Sequence, residues 1–286
     1  MRFAGCGGNP TTPAIFMELT IQKTDNSKPK HVFLVVTAGD GKIHCACAES
    51  IMRNIAICRD SGIKITPYFH SGDCYISRAR NWCSRLFMQY DYTDMIFVDS
   101  DVAFDDNAMV QILKHDVDFV AGVYPYRSSL VDGFPCQYHQ MPDGTPMVDY
   151  ETGLIMATSV PAGFMRLRRA VFTRLSGWYE SSLRDSKGTD GWFDGGMAFL
   201  ASGDRTWYGE DNCFCMRYRA AGGSIWIEPR ISFTHIGFEK FTGNFDQYLR
   251  NLPKPDTKPR DEFSEAKAQR IANCGERLKQ ALVSQR

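Results

Sequence analysis

The segment DMIFVDSDVAF, residues 94–104, runs four apolar side chains, Met95 to Val98, straight into Asp99-Ser100-Asp101. The apolar run reads as a buried strand, and a buried strand is a poor place for paired charges. Two carboxylates so close either repel each other or hold something positive between them. In an extended chain residues i and i+2 point the same way, roughly 7 Å apart. So placed, both acids can share a hard divalent cation and the phosphate oxygens bound to it. An acidic β–α turn, with Asp101 or Asp105 capping a helix, accounts for the same residues without any chemistry.

Four further groups invite the same question. Glu210-Asp211 follows Trp207-Tyr208-Gly209 at a predicted helix start, where carboxylates also complement the helix dipole. His235 follows Ile231-Ser232-Phe233-Thr234, a setting in which a lone histidine is usually a hydrogen-bonded core residue. Gly163 stands in a loop where a side chain would obstruct the approach of a sugar to the backbone. Trp178, Trp192, Trp207 and Tyr208 offer faces on which a sugar or base can stack, although core packing explains any one of them equally well.

The elements that must position these residues alternate. HVFLVVTAG, residues 31–39, is a strand; 45–60 is a helix with Ile51, Ile55 and Cys58 on one face; 63–69 is a strand. A helix over 77–90 with Ser77 as its cap, the strand at 94–98, a helix near 105–114 and a strand over 118–126 continue the series. Such alternation predicts a Rossmann-like α/β layout, a mainly parallel central sheet flanked by helices. In such sheets ligands bind beyond the carboxyl ends of the strands, where Asp99 and Asp101 fall.

After residue 127 the pattern becomes a smaller mixed β region. It holds a hairpin turning at Asp143-Gly144, a short strand and helix in VPAGFMRLRRAVFTRL, an aromatic loop region over 176–208, and a helix from 210 closed by Gly222-Gly223. Strand, turn and strand follow in SIWIEPRISFTHIG. The expected organisation is an irregular extension over 1–30, a main domain over 31–250 divided near 127, and a linker with a C-terminal amphipathic helix over 251–286.

Formal net charge is zero, which argues against a broad nucleic-acid or membrane face. No apolar stretch approaches the roughly eighteen residues that span a bilayer. The N-terminus lacks a secretory pattern, so the expected setting is soluble and cytoplasmic, or host cytoplasm for a viral protein. Ten cysteines without a C-x-x-C pair are expected to be free and mostly buried.

FVDSDVAF resembles the D-x-D segment of GT-A-fold glycosyltransferases of bacterial and phage type. SRARN (77–81), PAGFMRLRRAVF (161–172), GEDNCFCMRYRAAG (209–222) and FTHIG (233–237) resemble other parts of that family in the same order, over roughly residues 31–245. The resemblance implies a GT-A fold and transfer of a hexose or pentose from a nucleoside-diphosphate sugar to an acceptor hydroxyl. It implies Mn2+ or Mg2+ held by Asp99, Asp101 and His235, and Asp211 as general base beside Glu210, with inversion favoured. Donor contacts are expected from Thr37, Ala38, Arg78, Asp99, Ser100, Asp101 and Gly163. Trp178, Trp192, Trp207 and Tyr208 fall to the acceptor, which could be a glycan, a protein, a lipid-linked sugar or a modified DNA base.

Two other readings compete. A metal-dependent phosphatase or nuclease also uses aspartate pairs, but a dehalogenase-type phosphatase commonly has Thr or Val where Ala103 stands. A nuclease calls for a basic channel that the neutral balance does not indicate. A sugar- or nucleotide-binding module without catalysis would have no need of Asp211.

Overall fold

The computed structural model describes residues 29–128, 133–178, 191–199, 205–237 and 240–252. The expected N-terminal extension, apart from residues 29 and 30, and the expected C-terminal helix lie outside them. Strand β1 is His31–Ala38, helix α1 Cys45–Asp60, β2 Lys64–Ser71, α2 Ile76–Gln89 and β3 Asp94–Asp99. Then come β4 (Val102–Phe104), α3 (Ala108–Leu113), β5 (Phe119–Ala121), β6 (Gln137–Tyr138), β7 (Ile155–Ser159), β8 (Phe164–Arg168) and α4 (Arg169–Trp178). The described chain closes with β9 (Gly196–Phe199), β10 (Arg205–Tyr208), α5 (Glu210–Ala220), β11 (Ile225–Ile227), β12 (Ser232–Ile236), β13 (Lys240–Asn244) and α6 (Phe245–Asn251).

The architecture is mixed α/β around an eight-stranded sheet of order β2-β1-β3-β8-β5-β11-β7-β6. Strands β2, β1 and β3 are parallel neighbours, as the alternation predicts. Strand β8 then wedges antiparallel between β3 and β5, and β7 also runs against the common direction. Alternation along β3 divides the core. Met95 and Phe97 join Phe33, Val35 and Phe87 on one face, while Ile96 and Val98 join Leu34, Val36, Ile51 and Met109 on the other. Each such fully buried side chain contributes about 2 kcal/mol.

Several details depart from the sequence expectation. Helix α2 begins at Ile76, so Ser77 lies inside its first turn rather than capping it; Asp73 accepts the backbone N–H of Tyr75 instead. Strand β5 stops at Ala121. Gly122 follows, still donating its N–H to the Phe164 carbonyl of β8, and a Cβ on it would lie 2.3 Å from the Phe233 ring. Strand β4, three residues immediately after the D-x-D, was not foreseen, and it pairs antiparallel with β12 in the three-stranded sheet β13-β12-β4.

No described helix is long and apolar enough to cross a membrane. The eight described cysteines are free, and Cys47, Cys58, Cys83, Cys213 and Cys215 are buried. Burial pushes the thiols of Cys47, Cys83 and Cys215 up to about 12, which makes them poor sources of thiolate.

Candidate functional site

Strand β3 ends at Asp99, and the chain turns there instead of continuing extended. The two acids of the D-x-D therefore diverge. Asp99 Oδ1 accepts from Arg80 Nη2 at 2.8 Å and from Thr37 Oγ1 at 3.0 Å, while its Oδ2 faces the Tyr124 hydroxyl at 3.5 Å. Gly163 makes this corner feasible, because a Cβ there would lie 2.5 Å from the Tyr124 hydroxyl and 2.6 Å from Asp99 Oδ2. Its backbone N–H donates to that same hydroxyl. Glycine is needed here for the packing of Tyr124 and Asp99.

Asp101 turns the other way. Its Oδ2 lies 2.5 Å from Arg127 Nη1 and 3.6 Å from His235 Nε2. His235 arrives through the unforeseen strand β4: Val102 is its register partner, and Ile236 donates its N–H to the Asp101 carbonyl. Phe233, two residues earlier on the same face, packs against Phe164 and anchors the strand. The Nδ1 of His235 contacts the Pro125 carbonyl at 3.0 Å, and a carbonyl only accepts. Nδ1 therefore carries a proton, and Nε2 is the ring nitrogen turned toward Asp101. Burial raises the Asp101 carboxyl, but His235 and Arg127 outweigh it and bring the net value below the usual carboxylate range.

This geometry answers whether the expected cation fits. Among the described residues no three His, Cys, Asp or Glu side chains are grouped to hold a metal ion. Asp99, committed to Arg80 and Thr37, is not grouped with the other two. Asp101 and His235 do make a two-donor pair, one carboxylate and one imidazole, that a divalent cation would complete with water and phosphate oxygens.

The arginine of SRARN that lies against Asp99 is Arg80, which was not expected, rather than Arg78. Arg78 is 68% exposed and pairs with Asp73 at 2.8 Å. Arg80, two residues on, is 4% exposed and bridges Asp99 and Glu210. Its position was readable, since Arg80, Cys83, Ser84 and Phe87 fall at the i, i+3, i+4 and i+7 spacing of the buried face of α2. Burial alone would lower the Arg80 pKa; the two carboxylates raise it instead. Glu210 is pushed up by burial, with Arg80 opposing and Asp211 adding to the rise. Tyr124 and Arg127 were missed too, and no local pattern marks either.

Thr37, Arg80, Asp99, Ser100, Asp101, Tyr124, Ala162, Glu210 and Asp211 line a cavity of about 320 Å3 at the carboxyl ends of β1 and β3. Ala38 is buried and not among the lining residues. Glu210 and Asp211 open α5, as expected, and Asp211 Oδ1 accepts the N–H of Asn212 at 2.7 Å. Of the aromatics, Trp207 stands 67% exposed on β10, and Tyr208 follows it half-buried. Trp192 is buried edge-on against Phe172 and presents no face to a ligand, so it belongs to the core. Trp178 ends α4, and its side chain lies outside what is described.

No family model matches the chain, and no curated protein matches it in sequence. Among similar solved structures is a variant of Drosophila β-1,4-galactosyltransferase 7 in complex with manganese, UDP-galactose and xylobiose. It is 14% identical with a TM-score of 0.38, covering 82% of this chain and 79% of that one. TarS from S. aureus is similar at 13% identity and a TM-score of 0.36, covering 69% of this chain and 57% of that one. Likeness at this level is too slight to assign a reaction, which has to be argued from the cavity itself.

Proposed function

We propose that the chain is a metal-dependent glycosyltransferase that moves a sugar from a nucleoside diphosphate to an acceptor hydroxyl. The observation that carries this reading is one cavity lined by Asp101, which has His235 beside it, and by a separate acid pair, Glu210 with Asp211. Asp101 and His235 are the residues that would hold Mn2+ or Mg2+, which supplies positive charge against the departing diphosphate. Thr37, Ser100 and Asp99 line the donor side, with Asp99 held in place by Arg80.

Asp211 takes the proton from the acceptor hydroxyl. The new bond forms between that oxygen and the anomeric carbon as the bond to the diphosphate oxygen breaks. Attack opposite the leaving group inverts the anomeric centre. Glu210, fixed by Arg80, sets the position of its neighbour. Trp207, exposed two residues before Gly209, offers a flat face to an acceptor sugar ring. Screening nucleotide sugars for hydrolysis and transfer, with Mn2+ and with chelator, tests the reading. Metal-dependent release of a nucleoside diphosphate is expected, and its absence with every donor would reject it.

A further inference from the structure

We propose that Arg127 is a built-in competitor of the divalent cation for Asp101. The inference rests on reading Asp101 and His235 as the cation pair. Arg127 Nη1 lies 2.5 Å from Asp101 Oδ2, the same oxygen that faces His235 Nε2 at 3.6 Å. One carboxylate oxygen thus serves two sites of opposite character. The guanidinium occupies the Asp101 oxygen that a cation shared with His235 would need. A divalent cation satisfies both, but it places like charge beside Arg127.

The placement of Arg127 is built rather than casual. A Cβ on Gly237 would lie 2.7 Å from Arg127 Cδ and 3.0 Å from its Cγ. Gly237 is not among the glycines of positive φ, so its backbone conformation does not require glycine. The glycine of FTHIG is there to let the arginine stem cross beside His235. The pair is also cheap to break. Arg127 is 52% exposed, and solvent takes up the freed guanidinium at little cost. Arg127 therefore holds Asp101 neutralised in the absence of metal and weakens the hold of the protein on a bare cation. A cation that arrives with a diphosphate brings its own compensating negative charge and is opposed less.

The test is the affinity of the full chain for Mn2+ alone, read by electron paramagnetic resonance of the free ion. Arg127→Ala is expected to bind Mn2+ roughly three- to tenfold more tightly than the wild type. Gly237→Ala, which displaces the arginine stem, shifts affinity the same way by less, and Arg127→Lys falls between. Adding a nucleoside diphosphate narrows the gap between Arg127→Ala and wild type. Equal or weaker Mn2+ binding by Arg127→Ala, or no Mn2+ binding by either protein, overturns the inference. Nucleotide-sugar binding measured in chelator on the same proteins reads the donor assignment separately, so the two failures are distinguishable.

Discussion

Strand β3 begins and ends with an aspartate, and the two are treated in opposite ways. Asp94 is sealed, its side chain 2% exposed. It takes a hydrogen bond from Thr93 Oγ1 at 2.8 Å and ion pairs with Arg166 at 2.9 Å and Arg168 at 3.7 Å. Asp99, at the other end of the same strand, is 26% exposed and faces a cavity. Both are carboxylates on a core strand with buried arginine partners. At the amino end every partner is protein and the charge is closed off. At the carboxyl end the partners leave open space bounded by four acids. Buried charge at one end holds the fold together, and at the other it shapes a place for something else.

The amino end continues into a second sealed group. Glu228 is fully buried and meets His115 at 2.5 Å and Arg230 at 2.6 Å. Burial pushes its carboxyl up, but the hydrogen bonds from His115 and Arg230 prevail and hold it down to about 2. Arg166 has no exposed surface, and it donates to the carbonyls of His115 and Val117 besides pairing with Asp94. Burial brings its pKa down to about 10.

Substitutions at the two ends should separate activity from stability. The largest effect is expected from Asp211→Asn, with transfer reduced about 10^2- to 10^4-fold while donor binding is retained, read by steady-state kinetics and calorimetry. Loss of donor binding along with transfer would remove Asp211 from the base role. Asp94→Ala leaves Arg166 buried without its carboxylate and should cost about 3–5 kcal/mol in denaturant unfolding, with the surviving folded protein still binding donor.

Glu228 makes the contrast pH-dependent. Its folded pKa lies below the unfolded value, so its stabilisation is fully present above about pH 4.5 and is lost as pH falls toward about 2. Unfolding free energy measured against pH should fall in that window for wild type and flatten in Glu228→Gln. The smallest effect belongs to Arg78→Ala, within about 0.5 kcal/mol and without loss of donor binding, since the residue is exposed. Arg80→Ala, two positions away, should cost several times more because it frees two carboxylates at once.

The parts legible in the sequence were those governed by near neighbours. Periodicity placed β1, α1, β2, α2 and β3 within a few residues of their observed bounds, and Gly222-Gly223 marked the end of α5. Hydrophobic alternation says nothing about which distant strand will be a neighbour, so the antiparallel wedge of β8 beside β3 was not visible. Strand β4 is too short to carry a pattern, yet it is what brings His235 to Asp101. The divergence of Asp99 from Asp101 depends on Arg80, Thr37 and Tyr124, three contacts from separate elements. Thr37 was expected at the site from the family resemblance and Arg80 was readable by its helical spacing from Phe87, whereas nothing local marked Tyr124.

The central claim is that the carboxyl end of β3 is an open cation and diphosphate site while the amino end is structural. It is tested most directly by measuring nucleoside diphosphate release from nucleotide sugars, with Mn2+ and with chelator, for wild type, Asp101→Ala and Asp94→Asn. The account predicts metal-dependent release by wild type, none by Asp101→Ala, and release by the folded fraction of Asp94→Asn at the wild-type rate. Metal-dependent release that survives in Asp101→Ala, or no release by wild type with any donor, would contradict it.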